Sequence, residues 1–229
     1  MKKFLTTLFY YLNLSWVRGI LFFDTSRDIK GRENVPRKGP LIVVSNHLNN
    51  ADSPILTAAV PRQVSWLTKA EWFHTPGIGW MFGAGGMIPV RRAEADLHAL
   101  RAAQERLKEG GCLGMFPEGH RSKDGVMHEA EPGTALIALR TGAPIQPVAI
   151  WGTEGVRLPK DMVTKRTRAY VRFGKPFTLP RPQRIAREDV EQATQTIMRA
   201  IAALLPEQYR GVYADNAAPE TRKVGTGTD

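Results

Sequence analysis

Short apolar runs alternate with helix-forming stretches along most of this chain. GPLIVVSN (39–46) and CLGMF (112–116) are compact apolar runs of the kind that form buried strands. AEADLHALRAAQERLKEGG (93–111) and AREDVEQATQTIMRAIAALL (186–205) have the apolar spacing and the good helix formers of amphipathic helices. Because strands and helices alternate, we predict an α/β fold with a mixed, largely parallel sheet that is flanked by helices.

The same patterns predict the other elements. GTALIALRTG (133–142) predicts a helix that ends at Gly142. The stretch DSP predicts a helix start, with Asp52 or Ser53 as the N-cap and Pro54 at the first helical position. Further strands are predicted at 63–68, 86–90, 144–152 and 168–174.

Length and composition limit the organisation and the partners. The chain has 229 residues, 42% of them hydrophobic, which is enough to bury one sizeable core. We expect an N-terminal membrane-associated segment at 1–27, one domain at 28–210 and a disordered tail at 211–229, where apolar periodicity is absent. The 32 Lys and Arg exceed the 22 Asp and Glu by 10, which favours anionic partners, but they are too scattered to indicate a nucleic-acid-binding arm. The single Cys112 cannot form an internal disulfide, so we expect a reducing compartment, the cytoplasm.

The N-terminal stretch MKKFLTTLFYYLNLSWVRGILFF combines two lysines with aromatic and aliphatic side chains. Asn13, Ser15 and Arg18 interrupt it, whereas a membrane-spanning helix needs about 20 mostly apolar residues. No small-residue cleavage site follows, so a secretory signal is a poor interpretation. We expect an amphipathic helix that lies in the membrane interface; the alternative is a helix packed on the core.

His47 and Asp52 follow the first apolar run, in the stretch NHLNNADSP. An imidazole acts as a general base near neutral pH, and a carboxylate beside it fixes its tautomer and stabilises the imidazolium. An offset of five residues lies off one helical face, so the pair requires a loop or a helix start, which this stretch supplies. The alternative is that His47 only caps a turn.

The stretch FPEGHRS follows the strand predicted at 112–116. It places Glu118, Gly119 and Arg121 in a tight turn, where glycine permits close backbone approach and arginine presents a planar fork of donors suited to phosphate. Glu118 either binds a substrate hydroxyl or holds Arg121, and the sequence does not decide between them. The alternative is an ordinary polar turn.

A third strand end, in GGMIPVRR (85–92), carries Arg91 and Arg92. In the functional interpretation, one of these two arginines joins Arg121 around a phosphate. The alternative is that both are ordinary surface arginines. No obvious Ser or Cys nucleophile accompanies the base. Ser45 and Cys112 remain as candidates, although Cys112 begins its strand whereas the reactive loops follow strand ends.

Taken in order, these stretches resemble the glycerolipid acyltransferase family, which includes the bacterial 1-acylglycerol-3-phosphate acyltransferases. The resemblance covers about residues 30–180 and rests on NHLNNAD, GMIPVRR, FPEGHRS and PIQPVAIWG. It implies that His47 deprotonates an acceptor hydroxyl, which attacks an acyl thioester directly, and that Asp52 orients His47.

The same resemblance assigns the binding residues. It implies that Arg92 and Arg121 bind the substrate phosphate and that Glu118 and Gly119 belong to the acceptor loop. The stretch TKAEWFHTPGIGW resembles the K-x-E-L segment of the family, which makes Lys69 a further candidate for phosphate contact.

The implied activity is transfer of a fatty acyl group from acyl-CoA or acyl carrier protein to the sn-2 hydroxyl of 1-acylglycerol 3-phosphate, giving phosphatidate for phospholipid biosynthesis. The implied partners are a lysophospholipid, the thioester donor and the cytoplasmic face of the cell membrane. The sequence has no paired Cys and no His spacing typical of a metal site, so we expect no metal, and we expect neither a cofactor nor a nucleic acid as a partner. The alternatives within enzymes are an acyltransferase for another lysolipid and a thioesterase. The alternative from another class is a basic peripheral membrane-binding module without catalysis.

Overall fold

The computed structural model describes residues 27–76, 79–90, 97–156 and 168–216. The strands in these ranges are β1 (Arg27–Lys30), β2 (Leu41–Ser45), β3 (Val64–Lys69), β4 (Ile88–Val90), β5 (Cys112–Met115), β6 (Ile145–Trp151) and β7 (Ala169–Phe173). They form one sheet in the order β1-β7-β6-β2-β5-β3-β4. Strands β2 to β6 are parallel to one another, β7 is antiparallel to β6, and β1 is parallel to β7. The predicted mixed, largely parallel sheet is confirmed.

The α-helices of the described ranges are α1 (Asp52–Ala59), α2 (Gly79–Ala84), α3 (Leu97–Lys108), α4 (Gly133–Thr141) and α5 (Arg187–Ala202). Four 3-10 helices accompany them there, at Arg32–Asn34, Ala70–His74, Glu207–Tyr209 and Gly211–Asn216. Helix α4 ends as predicted at Gly142, whose φ of 65° is left-handed and whose N–H donates to the carbonyl of Ala138 at 2.8 Å. No helix within the described ranges is long and apolar enough to span a membrane.

Strand β2 is buried along its whole length and separates two apolar clusters. Ile42 and Val44 belong to the cluster that includes side chains of α3, α4 and α5, whereas Leu41 and Val43 belong to the cluster of α1. Alternate residues of a strand point to opposite faces, so a strand that is apolar at every position needs helices on both faces. This explains why the run LIVV has no polar alternation.

The start of α1 differs from the prediction. The N-cap is Ala51 and not Asp52 or Ser53, so Pro54 occupies the third helical position. The carboxylate of Asp52 accepts two backbone N–H groups from the preceding loop, and no side chain caps the helix.

The end of the domain also differs from the prediction. Residues 211–216, predicted as the start of a disordered tail, form a 3-10 helix in which Tyr213 is 4% exposed. The N–H of Val212 donates to the carbonyl of Met127 at 3.3 Å, which attaches this helix to the domain. The folded part therefore extends beyond residue 210, and residues 217–229 lie outside the described ranges.

Of the interfacial segment expected at 1–27, residues 1–26 lie outside the described ranges. Strand β1 follows directly and was not predicted, because its sequence RDIK has no apolar alternation. It pairs at the edge of the sheet with β7.

The five parallel strands end at one edge of the sheet. Strand β2 lies between β5 and β6, so the loops that follow these three strands are neighbours at that edge. His47 follows β2, Glu118 follows β5, and Thr153 follows β6. In open α/β sheets, the crevice outside the carboxyl ends of the strands is the usual place for a ligand.

Candidate active site

Asn46 extends the pairing of β2 and β6 by one residue. Its fully buried side chain donates from Nδ2 to the carbonyl of Ile150 at 2.8 Å and accepts at Oδ1 from the N–H of Ile150 at 2.9 Å. The side-chain amide therefore takes the place of a backbone amide opposite β6. It fixes the point at which the next residue, His47, leaves the sheet.

The structure brings together the predicted pair of His47 and Asp52. The Nδ1 atom of His47 lies 2.9 Å from Oδ2 of Asp52, the first residue of α1. The Asp52 side chain is fully buried, whereas that of His47 is 14% exposed. Because Nδ1 faces a carboxylate, we assign the proton of the neutral ring to Nδ1, which leaves Nε2 to accept another.

Three further donors hold the carboxylate of Asp52. The backbone N–H groups of Leu48 and Asn49 each donate to Oδ2 at 2.7 Å. The hydroxyl of Thr153 donates to Oδ1 at 2.6 Å. These donors replace the water that the carboxylate loses on burial, and they fix its orientation.

The ring of His47 is the first of three stacked rings. It lies against Phe116 with centroids 3.9 Å apart and planes 13° apart, and Phe116 lies against Trp66 with centroids 4.9 Å apart and planes 17° apart. The indole Nε1 of Trp66 donates to Oγ1 of Thr57 at 2.8 Å, which ties the stack to α1, the helix that begins with Asp52. The imidazole is thus held at one edge by Asp52 and on one face by Phe116.

Gly114 makes room for this stack. A Cβ atom at position 114 would lie 2.5 Å from the indole ring of Trp66, closer than van der Waals contact allows. Strand β5 therefore requires glycine here because the indole ring crosses its backbone.

The carboxylate of Glu118 accepts hydrogen bonds from two separate stretches of backbone. It is 1% exposed; Oε1 accepts the N–H of His47 at 3.1 Å, and Oε2 accepts the N–H of His128 at 3.0 Å. Burial raises the pKa of its carboxyl to about 7, although both backbone hydrogen bonds lower it. The sequence left a substrate hydroxyl and Arg121 as partners for this carboxylate, and in the structure both oxygens instead accept backbone N–H groups.

Gly119 and Arg121 continue the turn. Gly119 has a φ of 71°, and a Cβ atom there would lie 3.2 Å from Cγ of Glu131, so both conformation and space favour glycine. The turn is joined to the histidine by the N–H of Ser122, which donates to the carbonyl of His47 at 2.7 Å. Arg121 is exposed, and its guanidinium makes no hydrogen bond or ion pair with the residues that the structure describes.

Of the other two predicted phosphate contacts, the structure describes Lys69 alone. Lys69 is the last residue of β3 and is exposed at the same edge of the sheet. Arg91 and Arg92 follow β4 in sequence but lie outside the described ranges. Among the described residues, no hydrogen bond or ion pair joins Lys69 to His47.

The two alternative nucleophiles are poorly placed for chemistry. Cys112 is fully buried at the amino end of β5, the end opposite His47, and burial raises the pKa of its thiol to about 12. Ser45 is fully buried at the end of β2. Within the described ranges, no group of three or more His, Cys, Asp and Glu is arranged to hold a metal ion.

Sequence reasoning missed Asn46, Phe116 and Thr153. Thr153 follows the predicted strand at 144–152 as closely as His47 follows its own, so the search for polar residues at strand ends had the signal needed to find it. The role of Phe116 has no such signal, because a stack of rings depends on how β3 and β5 pair. The assembled site can take a proton at Nε2 of His47 while Asp52 stabilises the resulting imidazolium.

Comparison with known proteins points to one group. A model of the acyltransferase family matches residues 26–151. A chloroplast 1-acyl-sn-glycerol-3-phosphate acyltransferase of Brassica napus is 34% identical over 135 residues, which are 58% of this chain and 38% of that protein. A lyso-ornithine lipid O-acyltransferase of Pseudomonas aeruginosa is 31% identical over 124 residues, 54% of this chain and 47% of that protein. The chain thus spans about half the length, or less, of these relatives.

A solved structure is similar over most of the chain. The crystal structure of the 1-acyl-sn-glycerophosphate acyltransferase PlsC from Thermotoga maritima superposes with a TM-score of 0.63 and 26% sequence identity. The match covers 86% of this chain and 76% of that one. The likeness therefore extends to the order of strands and helices and is not confined to short motifs.

Proposed function

Because the chain belongs to the acyltransferase family, we propose that it is a 1-acylglycerol-3-phosphate O-acyltransferase. It transfers a fatty acyl group from the thioester of acyl-CoA or acyl carrier protein to the sn-2 hydroxyl, and phosphatidate is the product. The observation that carries this proposal is the 2.9 Å contact between His47 and Asp52 at the carboxyl ends of the parallel strands. Relatives with this activity support the choice of acceptor.

The proposed mechanism uses His47 as the general base. Nε2 takes the proton of the acceptor hydroxyl while the hydroxyl oxygen attacks the thioester carbonyl carbon. The tetrahedral intermediate then collapses, the carbon–sulfur bond breaks, and the thiolate leaves with the proton that Nε2 had taken. Asp52 accepts the Nδ1–H throughout and stabilises the imidazolium. The thioester brings the acyl group, so this reaction needs no further cofactor.

The proposed acceptor carries a phosphate, for which Arg121 is the first candidate. Its guanidinium is exposed in the turn that the N–H of Ser122 ties to His47. Arginine binds phosphate with two parallel donors, which fits an acceptor that must be held at a fixed distance from the base. Lys69 and Arg92 remain proposed as further phosphate contacts, and Gly119 as the residue that lets the acceptor loop turn.

The proposed place of action is the cytoplasmic face of the cell membrane, with the segment 1–27 in the interface. A net charge of +10 favours both an anionic bilayer and an acidic thioester donor. A second candidate acceptor is a lyso-aminolipid, which the likeness to the lyso-ornithine lipid acyltransferase supports. The same base would activate its hydroxyl, and only the contacts to the head group would differ.

The experiment that tests the proposal measures thiol release from palmitoyl-CoA in the presence of lipid vesicles. Wild type, His47→Ala and the matched control His74→Ala, which changes an exposed histidine, are each compared with and without 1-acylglycerol 3-phosphate. We expect release that depends on the acceptor and that falls by about 100-fold or more in His47→Ala alone. Circular dichroism confirms that the variant is folded.

Four other results would each contradict a part of the proposal. Release without any acceptor identifies a thioesterase. When lyso-ornithine lipid replaces 1-acylglycerol 3-phosphate in the assay, release that requires it identifies the second acceptor. Transfer that survives in folded His47→Ala contradicts the general base, and vesicle binding without any release indicates a membrane-binding module.

A further inference from the structure

The loop of His47 and Asp52 is attached to the segment that follows β6. Besides the two hydrogen bonds between Asn46 and Ile150, the amide Nδ2 of Asn49 donates to the carbonyl of Val156 at 2.9 Å. Residues 150–156 therefore hold the active-site loop in position by hydrogen bonds. Thr153 lies in the middle of this segment.

Thr153 faces the carboxylate of Asp52 on the side opposite the histidine. Its side chain is fully buried, and Oγ1 donates to Oδ1 at 2.6 Å, which is the distance of a charge-assisted hydrogen bond. The other oxygen, Oδ2, accepts three N–H groups, one of them from His47. Among the described residues, Thr153 is the hydrogen-bond donor to Oδ1.

The backbone before Thr153 has a left-handed conformation that favours glycine. Gly152 has a φ of 81°, and a Cβ atom at that position would lie 2.3 Å from the carbonyl oxygen of Arg168. A side chain at 152 would therefore push the turn away from β7 and take Thr153 with it. The fold therefore fixes the position of the Thr153 backbone, from which the hydroxyl reaches Asp52.

We propose that Thr153 is a positioning residue of the active site, whose hydroxyl keeps Oδ2 of Asp52 on the Nδ1–H of His47. This inference rests on the proposed function, because it requires His47 to act as the base. The χ2 torsion of an aspartate is soft, so a carboxylate held at one oxygen alone can turn. With Thr153 in place, a turn about χ2 breaks hydrogen bonds at both oxygens.

Three variants test this role through kinetics. Thr153→Val keeps the size of the side chain and removes the donor, Thr153→Ser keeps the donor, and Thr194→Val is the matched control, since Oγ1 of Thr194 bonds to the carbonyl of Val190 within α5. We expect Thr153→Val to lower kcat by about 10- to 100-fold with the KM of both substrates within about twofold. We expect Thr153→Ser to recover most of this loss and Thr194→Val to leave kcat unchanged.

A second readout does not require activity. In protein labelled with ¹⁵N-histidine, the Nδ1–H of His47 gives a downfield proton resonance when it is bonded to a carboxylate, and His47→Gln identifies the signal by its loss. We expect this resonance to shift upfield or broaden in Thr153→Val and to return in Thr153→Ser. An unchanged resonance in Thr153→Val overturns the proposal, as does a kcat within about twofold of wild type.

The two readouts separate this inference from the proposed function. If wild type transfers no acyl group to lysophosphatidate and the resonance still depends on Thr153, the proposed acceptor is wrong and the positioning role stands. If transfer occurs but Thr153→Ser is as slow as Thr153→Val, the hydroxyl does not act and the positioning role is overturned.

Discussion

The imidazole of His47 lies flat against the phenyl ring of Phe116, with centroids 3.9 Å apart and planes 13° apart. The two residues come from the loops after different strands, β2 and β5, so the contact exists only when the sheet has formed. It limits tilt of the imidazole toward that face, while Asp52 limits its rotation from the edge.

Replacement of Phe116 tests the stack. Phe116→Leu removes the flat surface and keeps an apolar side chain, so we expect kcat to fall by about 3- to 10-fold, the usual contribution of an aromatic pair, while KM changes little. The control is Phe177→Leu, which changes a partly buried phenylalanine that packs on the other apolar cluster. Steady-state kinetics of both variants measure the effect, and equal losses in the two would show that the stack has no special role.

Gly114→Ala tests the space behind the stack. The added Cβ atom would lie 2.5 Å from the indole of Trp66, so the ring must move. We expect the free energy of unfolding to fall by about 1–3 kcal/mol and kcat to fall with it, because Trp66 supports Phe116. Gly133→Ala is the control, since a Cβ atom there meets nothing within 4 Å. Urea unfolding gives the first quantity, and a stability equal to wild type would contradict the prediction.

The buried carboxyl of Glu118 should make the stability of the protein depend on pH. Because burial raises the pKa of its carboxyl from 4.5 to about 7, the folded protein binds this proton more tightly than the unfolded chain does. The contribution of this proton to the free energy of unfolding is therefore fully present below about pH 4.5, and it is lost as the pH rises through about 7.

The size of this effect is measured against Glu118→Gln, which cannot titrate. We expect the difference in unfolding free energy between wild type and the variant to fall by roughly 3 kcal/mol between about pH 4.5 and about pH 8. Urea unfolding at a series of pH values measures it. A difference that is constant with pH would mean that Glu118 keeps an ordinary pKa in the folded protein.

Arg121→Ala tests the proposed phosphate contact. The guanidinium is exposed, so we expect its loss to leave stability unchanged and to raise the KM for 1-acylglycerol 3-phosphate by about 10-fold or more, with the KM for the thioester unaltered. The exposed Arg140 at the end of α4 supplies the control, Arg140→Ala. An equal loss with an uncharged alcohol acceptor would count against a phosphate role.

Local patterns were enough to predict much of the site. The strands at 39–46 and 112–116 are read from apolar runs, and the pair of His47 and Asp52 is close in sequence, so a helix start after a strand was sufficient to bring them together. The wrong prediction of Asp52 or Ser53 as the N-cap of α1 also came from a local pattern. Asp52 has the chemistry of a cap, but the loop before it offers its carboxylate more donors than the helix does.

The parts of the site and of the fold that were not predicted depend on contacts between segments that are distant in sequence. The carboxylate of Glu118 is bonded to a residue 71 positions away, and the carboxylate of Asp52 to one 101 positions away, so neither partner could be identified before the strand order was known. The edge strand β1 and the helix at 211–216 carry little apolar pattern of their own. They are held by pairing with β7 and by contact with Met127.

The side-chain amide of Asn46 affects how often the backbone around His47 opens to solvent. Its two hydrogen bonds to Ile150 join the histidine loop to the centre of the sheet, where amide protons exchange with solvent only through the rarest openings. We therefore expect the backbone around His47 to share the slow exchange of β2 and β6 and not the fast exchange of surface loops. His47, the proposed base, would then be preorganised before either substrate binds, and no binding free energy would be lost in ordering it.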